Sequence, residues 1–218
     1  MTRPLSVILT SGGLDSAVAA AVTAQDSELA LLHFEYGQRA AECERRAFEA
    51  ICDWLSPIHH EVISLGDWPA LSRSSILDPA ADIEDAGAVG RALGSSFVGM
   101  LGPAMLCAGA AWASQLGARR VVWGICLSNP GNYPDRADAV RLLAWQLIGR
   151  CLPEGRAPTL EAPLAQYAKQ AVAGLARQLN VPIDRTWSCL RGGDQPCGRC
   201  IGCASRHAAL QEVSAETT

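Results

Sequence analysis

Four of the chain's nine cysteines fall within fifteen residues, Cys189, Cys197, Cys200 and Cys203, in the stretch S-C-L-R-G-G-D-Q-P-C-G-R-C-I-G-C. The last three follow one another at C-x2-C-x2-C spacing, and two-residue gaps let successive sulfurs turn back onto one ion. Gly192, Gly193, Gly198 and Gly202 supply the tight turns that such folding-back needs. Four thiolates without a histidine suit tetrahedral Zn(II), with an iron–sulfur cluster as the rival occupant. Four protein ligands leave no position for water or substrate, so the expected zinc is structural. A disulfide framework is the competing reading, but the other features point to the cytosol, where thiols stay reduced.

At the other end, Leu5–Thr10 (LSVILT) is an apolar run of strand length that breaks at Ser11-Gly12-Gly13. Leu14-Asp15-Ser16 then opens the alanine-rich segment AVAAAVTA. Strand, glycine turn and helix N-terminus make an anion cradle: freed N–H groups point inward, the helix dipole adds positive potential, and serine hydroxyls donate to phosphate oxygens. The bland alternative is an ordinary strand–turn–helix joint with Asp15 or Ser16 near an N-cap. The full S-G-G-L-D-S directly after the first strand favours nucleotide binding. It is neither a Walker A loop nor a dinucleotide G-x-G-x-x-G turn. The loop and the cysteines, at opposite ends of the chain, read as separate constellations.

S-G-G-L-D-S resembles the PP-loop of ATP pyrophosphatases. Together with the cysteine quartet it resembles the 7-cyano-7-deazaguanine synthases, the QueC family, over nearly the whole chain. Tyr36-Gly37-Gln38-Arg39 with Glu42 resembles that family's Y-G-Q-R-x-x-E, and Gly131-Asn132-Tyr133-Pro134-Asp135 its S-G-Y-P-D. Pro163-Leu164 followed by Lys169 resembles its T-P-L…K, and Ser188-Cys189 its S-C. The order and spacing of these strings together carry the resemblance.

The resemblance implies an ATP-dependent ligase that converts 7-carboxy-7-deazaguanine and ammonia to 7-cyano-7-deazaguanine in queuosine biosynthesis. The carboxylate is adenylated, ammonia displaces AMP to give an amide, and a second adenylation of the amide oxygen allows elimination to the nitrile. ATP is expected on Leu9, Thr10, Ser11, Gly12, Gly13, Leu14, Asp15, Ser16 and Arg39, with Mg(II) held by Asp15 or Asp135. Asp15, Ser16, Lys169 and Asp135 are the expected catalytic residues; Tyr36, Gln38, Tyr133, Arg136 and Trp187 are expected to hold the deazapurine. No side-chain nucleophile is needed, because such catalysis is mainly positioning and charge stabilisation.

Departures from the family pattern concentrate in the middle. Its V-P-G-R-N is replaced by Val98-Gly99-Met100-Leu101-Gly102, its acidic strand-end residues fall on Leu127 and Asn129, and its Cys-Arg after the aspartate is Arg136-Ala137. Lost hydrogen bonds there predict weak binding of the carboxylate unless Arg136 or Arg91 compensates. Two other readings follow. One is a paralogue that adenylates a deazapurine or other carboxylate for a different nucleophile; the other is a PP-loop tRNA sulfurtransferase.

These motifs need a frame. Strand-like runs at Leu5–Thr10, Glu28–Glu35, Glu61–Leu65, Arg120–Cys126 and Thr159–Ala162 alternate with helical periods at Leu14–Ala24, Gln38–Leu55, Pro103–Leu116, Asp138–Cys151, Ala168–Leu179 and Arg206–Val213. That alternation predicts an α/β fold: a parallel sheet with helices on both faces, Rossmann-like and of the PP-loop type. Three motifs follow strands and so converge on the carboxyl edge. Residues 1–186 are expected to form the ATP-binding domain, and 187–218 a C-terminal zinc segment packed on it. The irregular stretch from Gly66 to Ser96 reads as a lid or substrate loop.

The 218 residues, 49% hydrophobic with formal net charge -4, fit one domain and argue against a large nucleic-acid footprint. No apolar span approaches the roughly 20 residues of a membrane helix, and Met1-Thr2-Arg3-Pro4 leads straight into a strand. A soluble cytoplasmic protein is expected, and the resemblance adds a homodimer. Cys43, Cys52, Cys107, Cys126 and Cys151 read as small core residues, His33 as a core histidine, and His59-His60 as an exposed turn before the third strand. His207 is a possible stray ligand that the four thiols make unnecessary. Trp187 either stacks on a planar base or covers the metal cluster.

Overall fold

The computed structural model describes residues 3–88, 95–126 and 134–215, except for the side chains of 88, 134–138 and 212–215. Five strands, β1 (Leu5–Leu9), β2 (Glu28–Glu35), β3 (His59–Ser64), β4 (Arg120–Trp123) and β5 (Thr159–Glu161), form one sheet in the order β3-β2-β1-β4-β5. Every pairing is parallel. The helices are α1 (Leu14–Thr23), α2 (Ala41–Leu55), α3 (Leu101–Leu116), α4 (Pro134–Cys151), α5 (Lys169–Gln178) and α6 (Ile201–Ala215).

The central strands read as nearly continuous apolar runs, interrupted by the buried Ser6 and His33, because both faces are covered. Ile8, Leu29 and Leu31 pack against α1, α2 and α5, while Val7, Leu9, Ala30 and Leu32 pack against α3 and α4. β2 lies on one side of β1 and β4 on the other, so the order of strands reverses between β1 and β4. At such a switch point the two connections diverge and leave a crevice at the carboxyl ends.

Several element ends differ from the sequence reading. α2 begins at Ala41 rather than Gln38, because the Gln38 amide is used locally: Oε1 accepts from the Tyr36 N–H at 2.8 Å and Nε2 donates to the Phe34 carbonyl at 3.1 Å. β4 stops at Trp123, where the Ile125 N–H turns back onto the Trp123 carbonyl at 2.9 Å. α4 starts at Pro134, a residue suited to a first helical turn because the missing N–H would go unbonded there. His59 and His60 open β3, an edge strand, and are exposed. Cys151 is exposed at the end of α4, not in the core.

The described parts of the Gly66–Ser96 stretch do not form a free lid. Ser74, Ser75, Ile76, Leu77 and Ile83 are buried, and the last three pack against Cys189, Cys200 and Cys203. The Ala86 N–H donates to the Arg199 carbonyl at 2.9 Å, and Asp85 forms an antiparallel bridge with Cys200. The cysteines this stretch packs on lie more than a hundred residues downstream, and Arg39 holds it from upstream.

Candidate active site

A cavity of ≈ 750 Å³ opens beyond the carboxyl ends of β1 and β4. Its walls come from the loop after β1 (Ser11, Gly13, Leu14, Asp15, Ser16), from Gly124 after β4, and from Ala168, Lys169 and Gln170 at the head of α5. The cysteine segment contributes Trp187, Ser188, Leu190, Ile201, Gly202, Ser205 and Arg206, and α2 contributes Glu44. The first residues of α1, α5 and α6 all line this space. Three helix N-termini facing one cavity present unsatisfied N–H groups and positive dipole ends, a setting for a polyanion.

The loop is held in shape by its own groups. Ser16 Oγ donates to the Gly13 carbonyl at 3.0 Å and lies 3.3 Å from Ser11 Oγ, which accepts from the Gly13 N–H at 3.3 Å. Gly12 has φ +80, and a Cβ there would stand 2.5 Å from the Glu44 carbonyl oxygen, so glycine is required for both reasons. At Gly124 a Cβ would meet Ser16 Cα at 2.6 Å; the chain leaving β4 passes directly against α1. Lys169 Nζ pairs with Asp15 Oδ2 across 154 positions of sequence. Asp15 Oδ1 is buried with no hydrogen-bond partner among the described residues.

The four cysteine sulfurs lie within 4.8 Å of one another, with Cys197 and Cys203 3.9 Å apart. A tetrahedral ion with metal–sulfur bonds of about 2.3 Å sets its ligands about 3.8 Å apart, so the group could hold one ion with small adjustment. Cys189 Sγ accepts from the Cys197 N–H at 3.3 Å, and Cys197 Sγ from the Cys200 N–H at 3.4 Å. Burial works against the Cys197 thiolate, but the N–H groups of Cys200 and Arg199, together with the Cys189 and Cys200 thiols, outweigh it and bring its pKa down to about 6. Gly192, Gly193 and Gly198 take positive φ as turns, whereas Gly202 sits inside α6. A Cβ at Gly202 would lie 2.0 Å from the Ser188 carbonyl oxygen, so its role is close approach rather than turning. His207 is exposed and outside the cluster.

The loop and the knuckle are not separate. The Trp187 N–H donates to the Gly12 carbonyl at 2.9 Å, and Trp187 both lines the cavity and packs on the cysteine cluster. Arg206, one turn beyond Cys203, donates to Thr186 Oγ1 at 2.6 Å and Ser188 Oγ at 3.5 Å.

Among the expected ATP residues, Ser11, Gly13, Leu14, Asp15 and Ser16 line the cavity; Leu9, Thr10 and Gly12 are buried behind it. Arg39 is not in the wall: its guanidinium donates to the Ala81 carbonyl at 2.8 Å and the Ser75 carbonyl at 3.4 Å, tying down the 66–88 segment. Tyr36 and Gln38 also stand outside the wall, linked to it through Gln38 Nε2, which donates to Glu44 Oε2 at 3.0 Å. Tyr133, Leu127, Asn129 and Arg91 lie outside the described residues, as do the side chains of Asp135 and Arg136. Leu101 and Gly102 begin α3 and do not line the cavity; a Cβ at Gly102 would touch Trp123 at 3.4 Å. Met100, where the resemblance expects glycine, has φ 60. Reading the sequence alone missed Glu44, Gly124 and Arg206. Only Arg206, at helical spacing from Cys203, left a trace.

The family described as Queuosine biosynthesis protein QueC matches residues 5–214. The 7-cyano-7-deazaguanine synthase of Synechococcus sp. (strain CC9902) is 34% identical over 219 residues, 98% of this chain and 95% of that protein. The enzyme of the same name from Acidobacterium capsulatum is 34% identical over 218 residues, 98% of this chain and 94% of its own length. In structure the chain is similar to the U34-tRNA thiolase NcsA from Methanococcus maripaludis, solved with its 4Fe–4S cluster. That match has a TM-score of 0.50 at 15% identity and covers 99% of this chain and 67% of that one, a likeness of fold.

Proposed function

The chain belongs to the QueC family of queuosine biosynthesis proteins, and from that membership we propose that it is an ATP-dependent ligase making 7-cyano-7-deazaguanine from 7-carboxy-7-deazaguanine and ammonia. The observation that carries the reading is the convergence of the S-G-G-L-D-S loop, Lys169 and the four-cysteine knuckle on one cavity.

Ser11, Gly13 and Ser16, with the α1 N-terminus, hold the pyrophosphate end of ATP while the carboxylate attacks the α-phosphate. Lys169 neutralises the charge that leaves. Asp15, with one carboxylate oxygen buried and unpartnered, fits a Mg(II) ligand, and the ion would supply further phosphate neutralisation. The indole of Trp187 offers a flat wall for a purine-like ring. Ammonia then displaces AMP to give the amide, and a second adenylation leads to the nitrile. The four sulfurs lie close enough for a single ion, which favours zinc over a multi-iron cluster; zinc there would fix the knuckle against the cavity. Arg39 serves this site indirectly, by shaping the segment beneath the knuckle, rather than on ATP.

Among the described residues no helix is long and apolar enough to cross a membrane, and we place the protein in the cytoplasm. The outer face of α4 exposes Leu142, Leu143, Trp145 and Leu147, which supports a homodimer. A second reading rests on Leu101-Gly102, where a polar Arg-Asn pair is expected: the same adenylation serving a different acceptor.

Incubating the protein with ATP, Mg(II), ammonium and 7-carboxy-7-deazaguanine tests both. The expected outcome is AMP, pyrophosphate and the product mass of the nitrile. ADP and phosphate would overturn the loop assignment, and bound ATP without turnover would select the second reading. Metal analysis should give one zinc per chain in colourless protein; iron with a brown colour would overturn the zinc.

A further inference from the structure

A carboxylate drawn partly out of water is stabilised by a cation, and among the described residues no ion pair reaches Glu44. It stands in the first turn of α2 and lines the same cavity as Lys169 and Arg206. The neighbouring cations are engaged elsewhere: Arg45 with Glu35 at 2.6 Å, Arg46 with Glu42 at 3.5 Å, and Lys169 with Asp15. Arg206 donates to Thr186, Ser188 and the Ile183 carbonyl rather than to Glu44. Among the described residues the Glu44 carboxylate meets one neutral donor, Gln38 Nε2, at Oε2, and Oε1 has none. Gln38 is itself fixed by the Tyr36 N–H and the Phe34 carbonyl, so the acid is held in one orientation.

We propose that Glu44 binds the ammonium ion from which the nitrogen of the product comes, and takes one of its protons. The inference rests on the ligase reading above. Ammonium supplies the cation that the Glu44 pocket lacks. Within the cavity one N–H bond breaks, its proton goes to Glu44 Oε1, and the lone pair left on nitrogen makes ammonia a nucleophile. The nitrogen attacks the acyl carbon, the C–N bond forms, and the C–O bond to AMP breaks with its electron pair going to the phosphate. The second proton lost from nitrogen leaves with solvent, and the Glu44 proton follows before the next turnover. Burial, opposed by the Gln38 hydrogen bond, raises the proton affinity of Glu44 above that of an ordinary glutamate, as a proton acceptor for ammonium needs. Asp15, in contact with Lys169, is not in a position to do the same work.

The test separates adenylation from amidation in the full-length protein. Glu44→Gln keeps size and hydrogen bonding and removes the charge. Carboxylate-dependent exchange of pyrophosphate into ATP should stay within about threefold of wild type, while amide formation from ammonium falls about a hundredfold and the apparent KM for ammonium rises at least about tenfold. Hydroxylamine, which is neutral near pH 7 and needs no deprotonation before attack, should still be converted to the hydroxamate. Unchanged dependence on ammonium, or hydroxylamine turnover lost in step with ammonia, would overturn the proposal. Glu44→Asp, which withdraws the charge without removing it, provides the same comparison if the glutamine variant does not fold. Wild-type protein that shows no carboxylate-dependent exchange would refute the ligase reading instead, before Glu44 is tested at all.

Discussion

The loop after β1 and the cysteine knuckle meet in one cavity but are held in place differently. Among the serines and glycines of Ser11–Ser16 the side-chain hydrogen bonds join residues two to five positions apart, and among the described residues only the Asp15 side chain reaches far along the chain, to Lys169. The knuckle is fastened by distant groups: Arg191 donates to the Ile83 carbonyl and pairs with Asp85 at 3.3 Å, and the Gly193 carbonyl accepts from Cys43 Sγ at 3.2 Å. The loop is a local solution that the strand and helix beside it nearly dictate. The knuckle is a tertiary solution, a second wall brought across the first by a metal-binding fold and a strut. Dependence should therefore run one way: damage to the knuckle should disable the loop, and damage to the loop should leave the knuckle intact.

The largest effect should come from Cys200→Ser. Cys200 is fully buried and bridges to Asp85, and binding of a structural metal is coupled to folding by about 10–16 kcal/mol in small zinc modules. We expect loss of metal, loss of most soluble protein and loss of ATP turnover together. A variant that loses metal but keeps its wild-type melting temperature would break the comparison at its root. Asp15→Ala is the reciprocal experiment. It leaves Lys169 unpaired in the cavity wall and should cut release of AMP and pyrophosphate by about a hundredfold or more, with metal content and the α6 fold unchanged. Metal lost from this variant would mean that the two regions support each other equally.

Arg206→Ala should be milder and asks whether the knuckle only covers the cavity or also binds within it. The guanidinium lines the wall from α6 and is kept in orientation by Thr186 and Ser188. Losing one charged hydrogen bond to an anionic ligand costs about 1.5–3 kcal/mol, so KM for ATP or for the carboxylate should rise about tenfold to a hundredfold with metal retained. A lower melting temperature with unaltered KM values would assign Arg206 to cover alone.

The same contrast explains what the sequence disclosed. β1, β2 and the glycine turn were legible because buried parallel strands and phosphate cradles leave contiguous signatures, and the four cysteines because metal geometry constrains spacing. Glu44 was not legible: its value comes from Gln38 and from cations that turn elsewhere, while Glu42, the acid in the recognisable motif, is exposed and pairs with Arg46. Gly124 looks like any glycine after a strand until Ser16 is set against it. The Gly66–Ser96 stretch resembled a lid because its prolines and glycines are local, whereas its anchors lie outside it: Arg39 upstream, and Arg191, Arg199 and the cysteines far along the chain. His59 and His60 hid the start of β3 because an edge strand does not require apolar residues on both faces.

The smallest effect, and the finest test of the strut, is Asp85→Ala. Asp85 pairs with Arg191 at 3.3 Å and Arg199 at 3.4 Å, but it is half exposed. Ion pairs in that setting contribute about 0–1 kcal/mol each. The backbone bridge to Cys200 and the Ala86 N–H bond to Arg199 survive the substitution. For a chain of this size the melting temperature should fall by about 2–4 °C per kcal/mol lost, with metal content and the KM for ATP unchanged. High salt should shrink the difference between variant and wild type, because exposed pairs are screened. If the variant instead releases metal, or raises KM tenfold, the strut is not a passive clip. The 66–88 segment would then set the position of Cys200 and, through it, the second wall of the cavity.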